Sequence, residues 1–261
     1  MPTRRESAAK TATALLLVAL LPVLTLMFAS GASAQEEAPA ASGPARDIAP
    51  IDLTGQWVAI ISEDWRWRMV TPARGDFPSI PLNLDAQLLA EAWDPAADEA
   101  AGEACKAYGA PGLMRGPTRL RISWLDADTL QLDSDYGMQT RLFHFDGAFS
   151  EQSPMAGTNT WQGESTAEWI MAGQSGFGSM KTVTTELRPG YLRKNGVPYS
   201  DSTVYTEFWD VHVQDNGDRY LVVTNKVEDP VYLQLPWLTA IHFKKEDDPG
   251  RWDPTPCDAR F

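Results

Sequence analysis

The chain has 261 residues, with 22 Lys and Arg against 35 Asp and Glu, for a formal net charge of −13. So acidic a chain is a poor partner for nucleic acid, whose phosphates need neutralising cations. Apolar residues make up 43% of it, enough for a full core at this length and too many for a disordered polypeptide.

Arg4, Arg5 and Lys10 precede an apolar stretch from Ala12 to Phe28 and then Ala32-Ser33-Ala34. Cations, an apolar run and a small-residue site in that order predict an export signal cleaved after residue 34. An uncleaved anchor is the rival, but Pro22 interrupts a run shorter than the ~20 residues of a spanning helix. Glu6 and Ser7 stand where a twin-arginine signal is apolar, which favours Sec-type export. The expected residence is periplasmic or extracellular, with no stable membrane insertion after cleavage. The signal holds three of the 22 cations and one of the 35 acids, so residues 35–261 carry 19 against 34. Such a surface serves solubility, with binding of cationic molecules or divalent ions as the sharper alternative.

Residues 35–51 are Ala, Pro and charge without periodicity and read as a flexible leader to a single domain over 52–261. Gly55 to Ser62 reads as a strand. Asp64 to Val70 continues in extended alternation, with Trp65, Trp67 and Met69 opposite Asp64, Arg66 and Arg68. Asn83 can cap a short helix through Trp93, and Ala96 to Tyr108 is a second helical candidate. Beyond Pro117 strand follows strand: Arg119 to Trp124, Thr129 to Tyr136, Met138 to Asp146, Thr160 to Met171, Ser179 to Arg188, Thr203 to Gln214, Arg219 to Val227 and Leu238 to Lys245. Asp126-Ala127-Asp128, Tyr136-Gly137 and Asn216-Gly217 are turn signals between them. The fold class is therefore mainly β: an antiparallel meander of about 9–10 strands, forming a barrel or a strongly curved sheet, with short helices in an 83–108 insertion. A two-sheet sandwich has the same periodicity and stays open.

Cys105 and Cys257 are the only cysteines. In an oxidising compartment they are expected to form one disulfide, tying the C-terminal tail to the body. A reactive or metal-binding pair would call for CxxC spacing or nearby histidines. His144, His212 and His242 show no metal-ligand spacing, and no EF-hand, GxSxG, HExxH or phosphate-binding glycine loop occurs, so no metal or cofactor is expected.

Two candidate sites carry a ligand reading. Trp57, Trp65, Trp67, Phe143 and Trp209 could line an apolar wall inside a barrel, among ten Trp in the chain. The segment 188–200 (RPGYLRKNGVPYS) is the one basic spot, with tight turns at Pro189-Gly190 and Asn195-Gly196. Arg193, Lys194 and Tyr199 there could stand at the mouth and hold an anionic or aromatic ligand. The plainer readings are Trp in the core and an ordered connection between strands. Asp210 and His212, two apart on one strand face, are the weak catalytic candidates, as an acid/base pair. Which face of that strand points inward, Tyr205, Glu207 and Trp209 or Thr206, Phe208 and Asp210, is open in the sequence.

Thr54-Gly55-Gln56-Trp57 resembles the Gly-x-Trp entry of lipocalin-like barrels, where Gly permits a tight approach and Trp plugs the barrel end. The chain departs from lipocalins in its acidic tail, Glu246 to Phe261, and in the long insertion 71–116. Ser62 to Met69 (SEDWRWRM), Trp93 to Tyr108, Arg188 to Ser200, Val227-Glu228-Asp229-Pro230 and Trp252 to Cys257 resemble an uncharacterised family of exported bacterial β-rich proteins. That resemblance implies an exported β domain with these loops in fixed positions, and no catalytic residues come with it. The sequence thus points to an exported, lipocalin-like binder of an apolar or aromatic small molecule, non-catalytic, of undetermined oligomeric state. The alternatives are a periplasmic enzyme using Asp210 and His212 and an envelope protein–protein interaction module.

Overall fold

The computed structural model describes residues 43–145, 159–173 and 177–260; the expected signal segment, the first part of the leader and Asp146 lie outside them. In chain order the strands are β1 (Gly55–Ile60), β2 (Arg119–Trp124), β3 (Thr129–Ser134), β4 (Tyr136–Gly137), β5 (Gln139–His144), β6 (Glu164–Met171), β7 (Gly178–Thr185), β8 (Gly190–Arg193), β9 (Val197–Tyr199), β10 (Val204–Val213), β11 (Arg219–Glu228), β12 (Trp237–Lys245) and β13 (Thr255–Pro256). Nine of them form a closed barrel in the order β1-β12-β11-β10-β7-β6-β5-β3-β2. Closure comes from β1, which bonds to β12 on one side and to β2 on the other. The strand pattern of the sequence is therefore a barrel, and the sandwich falls away.

One seam is not antiparallel. Nine strands laid alternately up and down would leave the first and last parallel, yet β1 and β12 run antiparallel. One parallel seam must stand elsewhere in the ring, and it falls between β5 and β6, where Phe143 pairs with Ser165 and His144 with Thr166. The expected all-antiparallel meander becomes a mixed barrel because a crossover, which local periodicity does not encode, joins these two strands.

Connections at the two ends differ. At one end the β2–β3, β6–β7 and β10–β11 links are short; Gly217, at φ 86°, takes the left-handed conformation that the Asn216-Gly217 turn requires. The leader lies at this end and is held from Gly43 onward: Asp128 accepts from the Ala45 amide at 2.7 Å, and Trp169 Nε1 donates to the Ala45 carbonyl at 2.8 Å. These bonds fix residues whose composition alone reads as flexible.

The other end carries the long connections. They hold α1 (Trp65–Arg68), α2 (Leu84–Glu91), α3 (Pro95–Ala100), α4 (Ala110–Leu113) and the β8–β9 hairpin. Asn83 caps α2 as its sequence suggests, accepting from the Ala86 amide at 3.0 Å. Asp64 to Val70 is not extended: α1 occupies it, entered through Asp64 at φ 49°. Tertiary bonds override the alternation there, because Arg68 Nε reaches the Arg115 carbonyl at 2.9 Å and Trp67 Nε1 reaches Asp76 at 3.2 Å.

Inward positions follow strand alternation. Tyr205, Glu207 and Trp209 on β10 are all buried, and they pair across the sheet with Val227, Asn225 and Val223 of β11. The barrel core contains Trp57, Phe143, Trp209, Ile241 and Phe243, while a second apolar cluster under the cap contains Leu82, Val197, Tyr199 and Trp237. Between these clusters lies a polar layer around Arg141 and Glu207. The guanidinium donates to both carboxylate oxygens, at 3.0 and 2.6 Å, and to Thr184 at 3.2 Å, while Thr182 donates to Glu207 at 3.0 Å.

Candidate functional site: a basic pocket at the capped end

The chain from Gly190 to Tyr199 forms the β8–β9 hairpin, which is tucked under the cap rather than displayed on the surface. Gly196 lies at φ 81°, and a Cβ there would stand 2.3 Å from Trp93, so the turn tolerates little but glycine. Asn195 at the tip donates to the carbonyls of Ala73 and Asp76 at 2.9 and 3.0 Å, holding the 73–79 segment against the hairpin. Arg193 Nη2 donates to the Pro78 carbonyl at 3.0 Å and to Ser79 at 3.1 Å. At the hairpin's exit, Asp229 accepts from the Ser200 amide and hydroxyl and from Thr203, which locks the strand into β10.

Three arginines and a lysine come together as a result. Trp67, Arg68, Arg115, Tyr136, Arg193 and Lys194 line a cavity of about 20 Å³. Arg68, Arg115 and Arg193 are only 2%, 6% and 3% exposed. Each is oriented by packing: Arg193 stacks over Trp67 at 4.7 Å and Arg115 over Trp237 at 4.8 Å, while the Lys194 ammonium sits 4.7 Å above Tyr136. Carboxylates reach only part of this charge. Glu63 pairs with Arg68, and Asp64 with Arg115 at 2.7 Å. Arg68 Nη2, Arg115 Nη1 and both Nε and Nη1 of Arg193 are buried and find no hydrogen-bond partner among the described residues.

The electrostatics follow from burial. Loss of water pulls the Arg68 guanidinium down to about 10, with Glu63 opposing the fall and Arg115 adding to it. Arg193 is also brought to about 10 by burial and then by the neighbouring Arg115 charge, against Asp64 and Asp76. Burial brings Lys194 to about 8. Arg68, Arg193 and Lys194 remain cationic at neutral pH. Their repulsion and desolvation leave a concentrated positive field in a chain that is acidic overall.

The cavity floor is anchored by the tail. Cys105 and Cys257 form a disulfide joining positions 152 apart, and β13 runs parallel to β4 so that Thr255 pairs with Tyr136. Segments distant in the chain meet around this end of the barrel: Trp67 and Arg68 in the pocket wall, Trp93 against Gly196, Asp229 on Ser200, and Cys257 on Cys105.

The residues of the expected wall are dispersed. Trp57, Phe143 and Trp209 belong to the filled barrel core, with the Phe143 and Trp209 rings 5.4 Å apart and edge-on. Trp57 Nε1 donates to the Leu53 carbonyl at 2.8 Å, and the Lys245 ammonium lies 4.6 Å over its ring. Trp65 is 64% exposed on α1, away from that core. Trp67 alone of the five lines the pocket, beside Arg193 and Lys194. Tyr199 is buried in the cluster under the cap instead of standing at a mouth. Asp210 and His212 are on the outward face of β10, where His212 is exposed and Asp210 accepts from Ser179. Neither residue lines the cavity at 214–220, the one at the capped end or the one beside Trp169.

Sequence reasoning missed Arg68, Arg115 and Tyr136, and it missed the Arg141–Glu207 pair. Arg68 read as the solvent side of a strand, and Arg115 sits in a Gly-Pro-flanked link with no period to place it. Comparison with protein-family models, curated proteins and solved structures finds no match to the chain. The pocket must therefore be read from its own chemistry.

Proposed function

We propose that this protein is an exported, non-catalytic binder of a small molecule, which it takes at the capped end of the barrel and not in the barrel lumen. The observation that carries the reading is the convergence of three buried guanidiniums with unpartnered N–H groups on one cavity walled by Trp67 and Tyr136. Arginine keeps its proton throughout the physiological range, so this donor set binds and orients rather than shuttles protons. Lumen binding would require displacing Phe143, Trp209 and the fully buried Arg141–Glu207 pair. Export is supported by the N-terminal signal pattern and by the disulfide; among the described residues no helix is long and apolar enough to cross a membrane.

Native mass spectrometry of protein purified from its own host tests this reading. A reproducible extra mass is expected, with loss of that mass in Trp67→Ala and its retention in Trp65→Ala. A clean apo mass in folded wild type, with no small-molecule probe raising its Tm, would overturn it.

A further inference from the structure

Deepening that reading, and resting on it, we infer that the cavity is a site for one oxyanionic head group, a carboxylate or a phosphate, whose organic body lies across the Trp67 rim. Size decides which part of a ligand enters. A water needs roughly 10–15 Å³ of such space, so the cavity of about 20 Å³ admits the oxygens of a head group and little else. The rest of the molecule must remain outside, where Trp67 and Lys194 are only half-buried and offer a ring and an ammonium.

Charge and hydrogen bonding decide its chemistry. Arg68 Nη2, Arg115 Nη1, and Nε and Nη1 of Arg193 are donors, and the arginine side chain has no acceptor to offer a cation or a neutral donor. Buried donors left unmade are costly, and an incoming oxyanion satisfies several at once through the planar forks that suit carboxylate and phosphate. Stacking on Trp67 and Trp237 fixes two of those forks before any ligand arrives, which lowers the ordering cost of binding. Asp64 accepts from Arg115 Nη2 and Glu63 from Arg68 Nη1, leaving the other terminal nitrogen of each guanidinium unpartnered among the described residues. They act as internal competitors for the anion.

Isothermal titration with phenyl phosphate, benzoate and inorganic phosphate, against chloride at matched ionic strength, tests the assignment. Phenyl phosphate or benzoate is expected to bind, and Lys194→Met, a rim change that keeps the arginines, should weaken that binding by about tenfold. Asp64→Asn should strengthen it several-fold, because it removes the carboxylate charge that competes with the anion for Arg115 Nη2, while Asn tolerates the left-handed conformation at 64. A merely structural arginine cluster would not gain affinity from that change. Inorganic phosphate binding as tightly as phenyl phosphate would overturn the organic body across Trp67. No heat with any oxyanion, in folded wild type and in Asp64→Asn alike, would overturn the oxyanion site. If the natural cargo is retained but uncharged, or insensitive to Lys194→Met and Asp64→Asn, the oxyanion inference falls while the capped-end reading stands. If neither cargo nor probe binds, both fall.

Discussion

Two buried arginine environments sit in one molecule, and they are solved in opposite ways. In the barrel lumen Arg141 meets Glu207 through two parallel bonds, with Thr182 and Thr184 filling in around them. Burial would depress the Arg141 guanidinium, but the Glu207 charge more than offsets it and holds the group above its ordinary range. At the capped end burial wins, and Arg68 and Arg193 fall to about 10. Neither burial nor an unpartnered N–H separates the two cases, since Arg141 Nε also lacks a partner among the described residues. What separates them is the matched carboxylate: Glu207 takes two bonds from Arg141, whereas Arg193 donates only to a carbonyl and a hydroxyl and its cavity gathers three guanidiniums.

The largest expected effect breaks the lumen side of the comparison. Glu207→Ala leaves a buried guanidinium without its partner and should cost about 3–5 kcal/mol, read as a fall in the urea midpoint. Replacing both partners, Arg141→Met with Glu207→Leu, should recover most of that loss, because neither charge is then stranded in the core. A double variant no more stable than the single one would show that the layer's threonines depend on the pair. Neither change should alter anion binding at the capped end beyond its effect on folding.

Reduction of the disulfide comes next and acts on the capped end. Cys105 and Cys257 close a very long loop, and its opening should cost about 2–4 kcal/mol, chiefly by releasing the unfolded chain. Hydrogen exchange should show two levels: the barrel ladder from β10 to β12 loses protection only by that global amount, while amides near Tyr108, Tyr136 and the tail lose more. Uniform loss everywhere would mean that the disulfide acts only through the unfolded chain and does not hold the pocket floor.

The barrel's strands were legible through alternation and through turns such as Asn216-Gly217, but their closure into a barrel, set by the β1 and β12 pairing, was not. The disulfide was expected from two cysteines and from the oxidising compartment that the N-terminal sequence pattern suggests. The pocket was legible only in part: Arg193, Lys194 and Trp67 were visible as basic or aromatic residues, but their neighbours come from α1 and from the link before β2, far away in sequence. Alternation assigned Arg68 to a solvent face because a four-residue helical turn leaves no periodic trace. On β10, period two places Glu207 opposite Asp210 without saying which is inside. Both faces read as plausible inner ones, and only Arg141, three strands away around the ring, makes burial of Glu207 tolerable.

The smallest expected effect is the sharpest, since it asks why a lysine is held where it is unwelcome. Lys194 falls from its ordinary value near 10.5 to about 8 because burial disfavours its charge. The unfolded chain therefore binds that proton more tightly than the folded one, so this group's contribution to stability is at its low plateau below about pH 8 and rises as pH increases toward 10.5. Arg68, Arg115 and Arg193 share the cavity, and Arg68 and Arg193, each near 10, begin to titrate at the top of that window, so the clean interval is pH 7–9. Tyr136, raised by burial, stays neutral throughout it. Lys194→Met should raise the Tm of the ligand-free protein at pH 7 by a few degrees, with the advantage shrinking by pH 9. Saturating phenyl phosphate should reverse the order, because the bound anion favours the charged amine and stabilises wild type more than the variant. A lysine kept only for packing would show the first effect without the reversal.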